Sequence, residues 1–378
     1  MTDALDAARL LRDVVACPSP SGEEAAVARL LVERMQGFAD EAFVDDAGNA
    51  VGVWGDGPLR VTVLGHIDTV PGMIAVREEG GELYGRGSVD AKGSFCAAVA
   101  AVAGLPAELR GRLRLRLIGA VEEEAPSSKG ARYAVRAYEP PDVLVIGEPS
   151  GWDAYTLGYK GRLVARVEAA RANAHSSRDE ATAAEAVVDA VARVRAFVEA
   201  DNAGAELAAA DRAGDDTGVG TGTFRARFDA LQLSLQELAT ENDGLTQRCG
   251  ATLSFRLPPR WPPDVLQERL RALELPAGSG LSFTGSEAAV RFGRDSLVAR
   301  AFRVAIRGAG GRPRSKVKTG TSDMNVVAPY WPAPTLAYGP GDSALDHTPD
   351  ERLGLEEYAR AVTVWRAALT ELAGAAPA

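Results

Sequence analysis

The chain contains three histidines, and each lies in a segment rich in glycine, aspartate or serine. His66 follows the apolar run VTVLG, and Asp68 comes two residues later. In an extended chain, side chains at i and i+2 point to the same side. A neutral imidazole suits zinc or cobalt, and a nearby carboxylate commonly fixes its tautomer. We therefore predict that His66 binds a metal ion and that Asp68 orients the ring.

Carboxylates recur near strand-like runs and glycine-rich turns. Asp90 lies in GRGSVDAKG, the range Glu122–Glu124 follows LIGAV, and Glu148 follows VLVIG. Clustered carboxylates repel one another unless cations neutralise them, so a buried cluster indicates a metal or perturbed protonation. A solvated acidic loop is the alternative for the triple glutamate. His347, in LDHTPDE, follows the last strand-like run.

Two other chemistries fit these residues less well. GRGSVDAKG lacks the GxxxxGK(S/T) spacing of a phosphate-binding loop, and no acidic Walker partner follows it. Ser88, Ser127 and Ser322 have no adjacent histidine pattern typical of a serine triad. Neither nucleotide binding nor a covalent mechanism is therefore predicted.

The candidate ligands lie where an α/β fold would bring them together. Hydrophobic patterns predict strands over 60–64, 112–120, 142–146 and 334–338, and helices over 3–15, 92–104 and 129–136. Ser21-Gly22-Glu23-Glu24 resembles a capping box that opens a further helix to Met35. Open α/β sheets bind ligands beyond the carboxyl ends of their strands, and the candidate residues follow such ends.

The middle third of the chain changes character. It predicts a strand over 162–169, a helix over 181–200, a Gly/Asp/Thr-rich loop over 211–223, a strand over 249–257 and a helix over 263–273. We interpret residues 161–284 as an inserted α+β lid or dimerisation domain. Residues 1–160 and 285–378 then form one discontinuous catalytic domain, with a mixed sheet flanked by helices.

Length, charge and cysteine content limit the class of protein and the compartment that this sequence predicts. A chain of 378 residues is long enough for two domains, and a net charge of −10 argues against nucleic acid as a partner. The N-terminus lacks a signal-peptide pattern, and no apolar run approaches the roughly 20 residues of a spanning helix. Three scattered cysteines, Cys17, Cys96 and Cys249, read as buried thiols. A cytoplasmic protein that does not contact membrane is predicted.

One segment reverses the sign of the charge. Its single acid is Asp295, and its nine basic residues are Arg291, Arg294, Arg300, Arg303, Arg307, Arg312, Arg314, Lys316 and Lys318. A solvated face is the simpler interpretation. The alternative is a docking surface for an acidic partner.

Seven motifs in order resemble the M20 family of dinuclear metallopeptidases and amidohydrolases. They are GHIDTVPG, GRGSVDAKG, EEEAPSSKGAR, GEPS, AHSS, KTGTSD and LDHTPDE. The resemblance implies two divalent metal ions, zinc or cobalt, with Asp90 as the carboxylate that bridges them. The metal ligands that it implies are His66, Asp90, Glu124, Glu148 and His347.

The resemblance also implies roles in catalysis. Glu123 matches the general base of the family, and Asp68 matches its catalytic aspartate. The usual Asp-Glu-Glu is here Glu122–Glu124, so base and ligand could each be displaced by one position. His175 resembles the lid histidine that stabilises the oxyanion, often across a dimer interface, which implies a homodimer. A cis peptide bond after Asp90 is also implied.

Substrate contacts follow from the same resemblance. Arg256 resembles the lid arginine that binds the substrate carboxylate, a task that suits its planar fork. A strand-surface charge is the alternative. Gly320, Thr321 and Ser322 resemble the loop that closes over this carboxylate with backbone amides as donors.

Within the family, the motifs look most like hydrolases that release lysine or ornithine from a small acidic amino-group carrier protein in lysine or arginine biosynthesis. Their substrate is an amide between the γ-carboxyl group of the carrier's C-terminal glutamate and the α-amine of the amino acid. Part of the basic segment would then dock the carrier. The alternatives are an N-acyl-amino-acid deacylase of the acetylornithine or succinyl-diaminopimelate type, and a non-catalytic binding protein, which would require a missing ligand or base.

Overall fold

A computed structural model describes residues 5–175, 180–210 and 227–376. The chain divides into a larger unit, 1–158, 291–317 and 322–378, and a smaller unit, 159–290 and 318–321. The segment 161–284, interpreted above as an insertion, lies within the smaller unit. Its role as a lid or dimerisation domain stays a prediction.

Strands and helices alternate along most of the chain. The strands are β1 Glu41–Val44, β2 Ala50–Trp54, β3 Leu59–His66, β4 Arg77–Glu79, β5 Glu82–Tyr84, β6 Leu113–Ala120, β7 Val143–Gly147, β8 Ala154–Tyr159, β9 Gly161–Ala172, β10 Gln232–Asn242, β11 Thr246–Leu257, β12 Ser279–Glu287, β13 Val290–Arg291, β14 Arg314–Lys318, β15 Thr335–Ala337 and β16 Arg352–Gly354. The α-helices are α1 Ala7–Ala16, α2 Ala25–Gln36, α3 Lys92–Ala103, α4 Lys129–Ala137, α5 Ala183–Ala210, α6 Pro263–Arg271, α7 Leu297–Gly308, α8 Asp323–Val327 and α9 Leu355–Gly374.

A nine-stranded mixed sheet forms the framework of the larger unit. Its order is β1-β2-β6-β3-β7-β15-β8-β13, and β14 also pairs with β8. Helix α3 is buried from Lys92 to Val102, as expected for a helix that is apolar on all sides. The prediction of a mixed α/β sheet flanked by helices is confirmed.

The central strands end together at one edge of this sheet. β3 runs parallel to β6 and to β7, with His66 opposite Ala120 and Gly65 opposite Gly147. The two glycines allow a close approach, since a Cβ on Gly147 would lie 3.1 Å from the Gly65 Cα. The residues that follow these three strands are therefore brought to a common edge.

Three local predictions fail. The capping box at Ser21 to Glu24 is absent, because Ser21 Oγ donates to Asp68 Oδ2 at 2.7 Å and α2 begins at Ala25 without a side-chain cap. The first helix begins at Ala7, because the Asp6 side chain caps it by accepting from two backbone amides. Cys96 and Cys249 are buried, but Cys17 is only partly so.

A four-stranded antiparallel sheet organises the smaller unit, in the order β10-β11-β9-β12. Alternate residues of β9 and β11 are buried, and they form the second core with apolar residues of α5 and α6. The intervening residues lie on the opposite, open face. The predicted loop over 211–223 lies outside the described residues. Across the part of the chain that the structure describes, no helix is long and apolar enough to cross a membrane.

Candidate metal centre

His66 ends β3 with its two ring nitrogens in different surroundings. Nδ1 lies 3.1 Å from the Asp68 backbone oxygen, a group that can only accept, so Nδ1 carries the proton. Nε2 lies 3.1 Å from Asp90 Oδ1 and 3.8 Å from Glu148 Oε1, so in the neutral, metal-binding form of the ring its lone pair would face carboxylate lone pairs. Lone pairs that face one another in this way require a proton or a cation between them.

The second histidine approaches from the other side of Asp90. His347 Nε2 lies 3.0 Å from Asp90 Oδ2 and 2.8 Å from Glu124 Oε1. The two carboxylate oxygens of Asp90 thus face different histidines. This geometry suits a carboxylate shared by two cations.

The donor set fits divalent metal ions. Ligand atoms of His66, Asp90 and Glu124 all lie within 4.8 Å of one another, close enough for one ion. Imidazole nitrogen with carboxylate oxygen is a donor set that zinc and cobalt accept. All five residues predicted as ligands are present in one cluster, as two overlapping sets that meet at Asp90.

Crowding of carboxylates shifts their proton affinities. Burial raises the pKa of Glu123 well above its ordinary value, and Asp323, Glu148 and Glu124 raise it further against the opposing effect of His66. Burial and the nearby Asp90 raise the pKa of Glu124 as well. Cations placed among these groups would remove the repulsion that produces both shifts.

The pKa values of both histidines are raised as well, a shift that in a base favours the charged form. Hydrogen bonding to Asp90 and the charge of Glu124 raise the pKa of His347 to about 9. Burial alone would lower the pKa of His66, but its contacts with Asp68 and Asp90 and the charge of Glu123 raise it well above the ordinary value.

The carboxylate of Asp68 makes shorter contacts with the backbone of Glu123 and Glu124 than with the ring of His66. It accepts the backbone N–H groups of Glu123 and Glu124, each at 3.0 Å, and the hydroxyl of Ser21 at 2.7 Å. Its own Oδ1 is 3.5 Å from His66 Nδ1, farther than the backbone oxygen. Asp68 therefore fixes the direction in which the two glutamates leave the strand.

Glu122, the remaining acid of the triplet, faces other partners. Its carboxylate accepts the Ser127 hydroxyl at 2.6 Å and lies 3.6 Å from Lys129 Nζ. The backbone of Glu122 has a positive φ of 58°, which turns it away from the extended path of the strand. Glu122 thus has contacts that neither neighbour shares.

Sequence reasoning missed Glu351, which contacts the backbone at Asp90 directly and is linked through Arg86 to the backbone beside His347. Its Oε1 accepts the backbone N–H groups of Val89 at 3.0 Å and Asp90 at 3.1 Å, and its Oε2 pairs with Arg86 Nη1 at 2.8 Å. The same Arg86 nitrogen donates to the Thr348 carbonyl at 3.1 Å. Glu351 lies four residues after His347, and that proximity in the DHTPDE motif was the available signal.

Asp323 was also missed. Both of its carboxylate oxygens are buried, and within the described ranges neither finds a hydrogen-bond partner. Burial raises the pKa of Asp323 to about 8, with Asp68 and Glu148 adding to the shift and His66 opposing it. The residue begins α8, directly after the KTGTS segment.

The Asp90–Ala91 peptide bond is cis, as the family resemblance implied. Ser322 begins the last part of the larger unit, where its N–H donates to Asn325 Oδ1 at 2.9 Å and its hydroxyl accepts from the Met324 N–H at 3.2 Å. Its backbone amide is therefore engaged as part of a helix cap.

The other predicted substrate residues belong to the smaller unit. Arg256 Nη1 donates to Thr321 Oγ1 at 3.0 Å, and Gly320 precedes that threonine. His175, the predicted oxyanion residue, is exposed at the end of a described segment. The roles of these residues stay predictions.

Comparison with known proteins leads to one family. The sequence model of peptidase family M20/M25/M40 matches residues 62–371. The chain is 54% identical over 373 residues to a LysW-lysine hydrolase of Deinococcus radiodurans, covering 98% of each chain. It is 35% identical over 377 residues to a putative LysW-lysine/LysW-ornithine hydrolase of Thermococcus kodakarensis, covering 99% of this chain and 94% of the relative.

Solved structures share the fold. An M20 family metallo-carboxypeptidase from Sulfolobus solfataricus aligns with a TM-score of 0.77 at 18% identity, covering 98% of this chain and 100% of the other. A dinuclear metal-binding M20 peptidase from Bacillus subtilis aligns with a TM-score of 0.66 at 11% identity, covering 97% of each. On its sequence, its fold and its paired histidine and carboxylate sets, the chain belongs to peptidase family M20/M25/M40 and is a metal-dependent hydrolase.

Proposed function

We propose that the chain hydrolyses the amide that joins lysine, or ornithine, to the C-terminal glutamate of an acidic amino-group carrier protein, in lysine or arginine biosynthesis. The observation that carries this proposal is the 54% identity, over 98% of both chains, to a protein named LysW-lysine hydrolase. All five predicted ligands and the candidate base Glu123 are present, which speaks against a non-catalytic binding protein.

Two divalent metal ions, zinc or cobalt, are part of the proposal. His66, Asp90, Glu124, Glu148 and His347 would hold them, in two sets that share Asp90. When bound, the ions supply Lewis-acid activation of a water molecule and of the amide carbonyl.

The contacts of the three glutamates support one assignment of the general base. Glu122 is engaged by Ser127 and Lys129, and Glu124 contacts His347. Glu123 is left as the buried carboxylate whose backbone is fixed by Asp68. We assign Glu123 the transfer of a proton from the attacking water to the leaving amine.

The smaller unit supplies the remaining proposed roles. Arg256, Gly320 and Thr321, together with Ser322, would bind the carboxylate of the released amino acid, and His175 would stabilise the oxyanion. Because Ser322 N–H is already bonded to Asn325, Gly320 and Thr321 are the better candidates for backbone donors.

A cytoplasmic homodimer completes the proposal. The edge strand β10 supports it, because this strand of 11 residues exposes Leu235 and Leu238 and, among the described strands, pairs on one side only. Long open edges of this kind invite pairing with another chain. The three free cysteines fit a reducing compartment.

Substrate comparison tests the reaction. The protein is purified with added zinc or cobalt, and amino acid release is measured from carrier-linked lysine, carrier-linked ornithine, N-acetylornithine and succinyl-diaminopimelate. Carrier-linked substrates should be preferred by orders of magnitude in kcat/KM. Preference for the small acyl amino acids would preserve the metal chemistry and overturn the carrier assignment.

Neighbouring glutamates provide a matched control for the base. Glu123→Ala should abolish turnover, whereas Glu122→Ala should retain most of it, because Glu122 contacts Ser127 and Lys129 instead of the histidine cluster. Inactive Glu122→Ala with active Glu123→Ala would move the base by one position.

A further inference from the structure

Two arginines face each other on the open side of the smaller unit's sheet. Arg162 of β9 lies directly opposite Arg256 of β11 in the antiparallel register. Both are partly buried, and both occupy positions that alternate with the buried core residues of their strands. Like charges directly opposite one another destabilise a sheet. The pair therefore costs stability unless a negative group joins it.

The surroundings of the pair leave it cationic. Glu287 of β12 is the cross-strand neighbour of Arg162 and brings one negative charge. Arg256 donates to a neutral group, the Thr321 hydroxyl. Burial and the charge of Arg162 lower the pKa of Arg256, which is the response of a cation without a close carboxylate.

A third cation lies beneath this part of the sheet. Lys160 is fully buried, and its ammonium donates to the carbonyl oxygens of Arg227 and Ala230 and to Gln232 Oε1. Burial lowers the pKa of Lys160 to about 8, with the charges of Arg260 and Arg256 adding to the shift and that of Asp229 opposing it. Among the described residues, the partly buried pair of Arg162 and Arg256 faces Glu287 as its adjacent acid, while Asp229 acts on Lys160. Partly buried cations of this kind are costly, and an anionic ligand would offset that cost.

The substrate class put forward under the proposed function has an anion on each side of the scissile amide. The released lysine carries its α-carboxylate, and the carrier's C-terminal glutamate carries another, because its γ-carboxyl group forms the amide. A guanidinium group binds a carboxylate through two parallel hydrogen bonds. Adjacent arginines can therefore bind one carboxylate each.

Resting on that proposed function, we propose that Arg162 binds the α-carboxylate of the carrier's C-terminal glutamate, beside Arg256 and its carboxylate from the released amino acid. Arg162 is then a specificity-determining residue. N-acetyl amino acids lack this second carboxylate, so Arg162 would have no anionic group to bind in them.

Two synthetic peptides test this assignment in the metal-loaded enzyme. Each ends in a glutamate whose γ-carboxyl group is joined to the α-amine of lysine. One has a free α-carboxylate on that glutamate, and the other has a carboxamide there. Arg162→Gln should raise KM for the free acid by about 10- to 100-fold and leave KM for the carboxamide unchanged. Arg256→Gln should weaken binding of both peptides.

Arg166→Gln is the matched control. Arg166 lies on the same strand and face, but it is exposed and pairs with Glu168 at 2.6 Å, so its loss should change neither KM. Arg162→Lys keeps the charge without the planar fork and should fall between wild type and Arg162→Gln. Thermal unfolding of each variant reports on folding.

Four outcomes would overturn the assignment. Equal losses on both peptides would mean that Arg162 acts through Arg256 or through the fold. A wild-type enzyme that cleaves the free-acid peptide, with Arg162→Gln indistinguishable from it, would remove the inference and leave the proposed function standing. A wild-type enzyme inert toward both peptides and toward carrier-linked lysine would remove both. If the carrier alone is cleaved, an unchanged KM of Arg162→Gln for the carrier would overturn the assignment and leave the proposed function standing.

Discussion

Glu351→Gln is expected to weaken metal binding at the edge of the sheet while keeping the side-chain volume. The glutamine can still accept the backbone N–H groups of Val89 and Asp90 through its oxygen. Its amide nitrogen, however, would face Arg86, so that two donors meet where a carboxylate now lies 2.8 Å from the guanidinium. The change thus removes one charge and tests one ion pair.

The magnitude follows from burial. The Glu351 side chain is 1% exposed and that of Arg86 is 12% exposed. Breaking a buried pair from one side costs about 3–5 kcal/mol. Arg86 also donates to the carbonyl oxygens of Gly72 and Thr348. Those bonds retain part of its stabilisation, so we expect the free energy of unfolding to fall by about 2–3 kcal/mol.

Metal affinity is the second readout. Glu351 holds the backbone at Asp90, and Arg86 ties it to Thr348, the residue after His347. Loss of such an outer partner weakens metal binding by about 10- to 100-fold. Chelator competition with cobalt or zinc measures the affinity, and urea unfolding of the metal-free protein measures stability.

Arg352→Gln provides the control for both measurements. Arg352 follows Glu351 directly and pairs with Glu82 at 2.8 Å across the antiparallel strands β16 and β5. The two side chains are 32% and 40% exposed. Exposed pairs contribute about 0–1 kcal/mol. If Glu351→Gln matched this control in both stability and metal affinity, the reasoning about the buried clamp would be refuted.

Three further predictions address other parts of the molecule. Burial lowers the pKa of Lys160 to about 8 in the folded chain, from an ordinary value of 10.5, so the unfolded chain binds more protons between these two pH values. The free energy of unfolding of wild type relative to Lys160→Met should therefore rise from pH 8 to 10.5. A constant difference in urea unfolding would contradict this prediction. Leu238→Lys places a charge on the open edge of β10 and should convert a dimer to a monomer in light scattering, whereas a persistent dimer would place the interface elsewhere. Arg312→Glu should raise KM for carrier-linked lysine and leave KM for the short peptide unchanged. Arg312 is a cleaner test than Arg314, because Arg314 pairs with Asp153 at 2.5 Å. If Arg312→Glu and wild type had the same KM for carrier-linked lysine, the basic segment would be a solvated face.

The clustering of the predicted ligand residues could be anticipated from the sequence where a residue follows an apolar run that becomes a strand. His66 and Glu148 come at or just after the ends of β3 and β7, which run parallel, so chain order alone brings them to one edge. The basis of that inference is local pattern together with a general property of parallel sheets. The family resemblance supplied the pairing of ligands.

The supporting contacts could not be predicted in this way, because they join distant segments. Glu351 meets the Val89 amide across 262 residues of chain, and Ser21 meets Asp68 across 47. A local pattern assigned Ser21 to a capping box, since a serine three residues before a glutamate has the composition of one. Tertiary hydrogen bonding to Asp68 took precedence over that local preference.

The contacts of the acids divide them into two working groups. Several carboxylates each accept two backbone N–H groups: Glu24 from Gly22 and Glu122, Asp68 from Glu123 and Glu124, Glu351 from Val89 and Asp90, and Glu357 from Trp152 and Gly341. Each of these acids therefore holds the backbone of a loop or strand end in place. Asp90 and Glu124 instead turn oxygens toward histidine nitrogens, which suits them to bind cations.

Glu123 belongs to neither group. Its surroundings favour the protonated form, and its backbone N–H is held by Asp68. A buried carboxylate with a raised pKa can take up a proton during turnover, which is the basis of the general-base role proposed for Glu123.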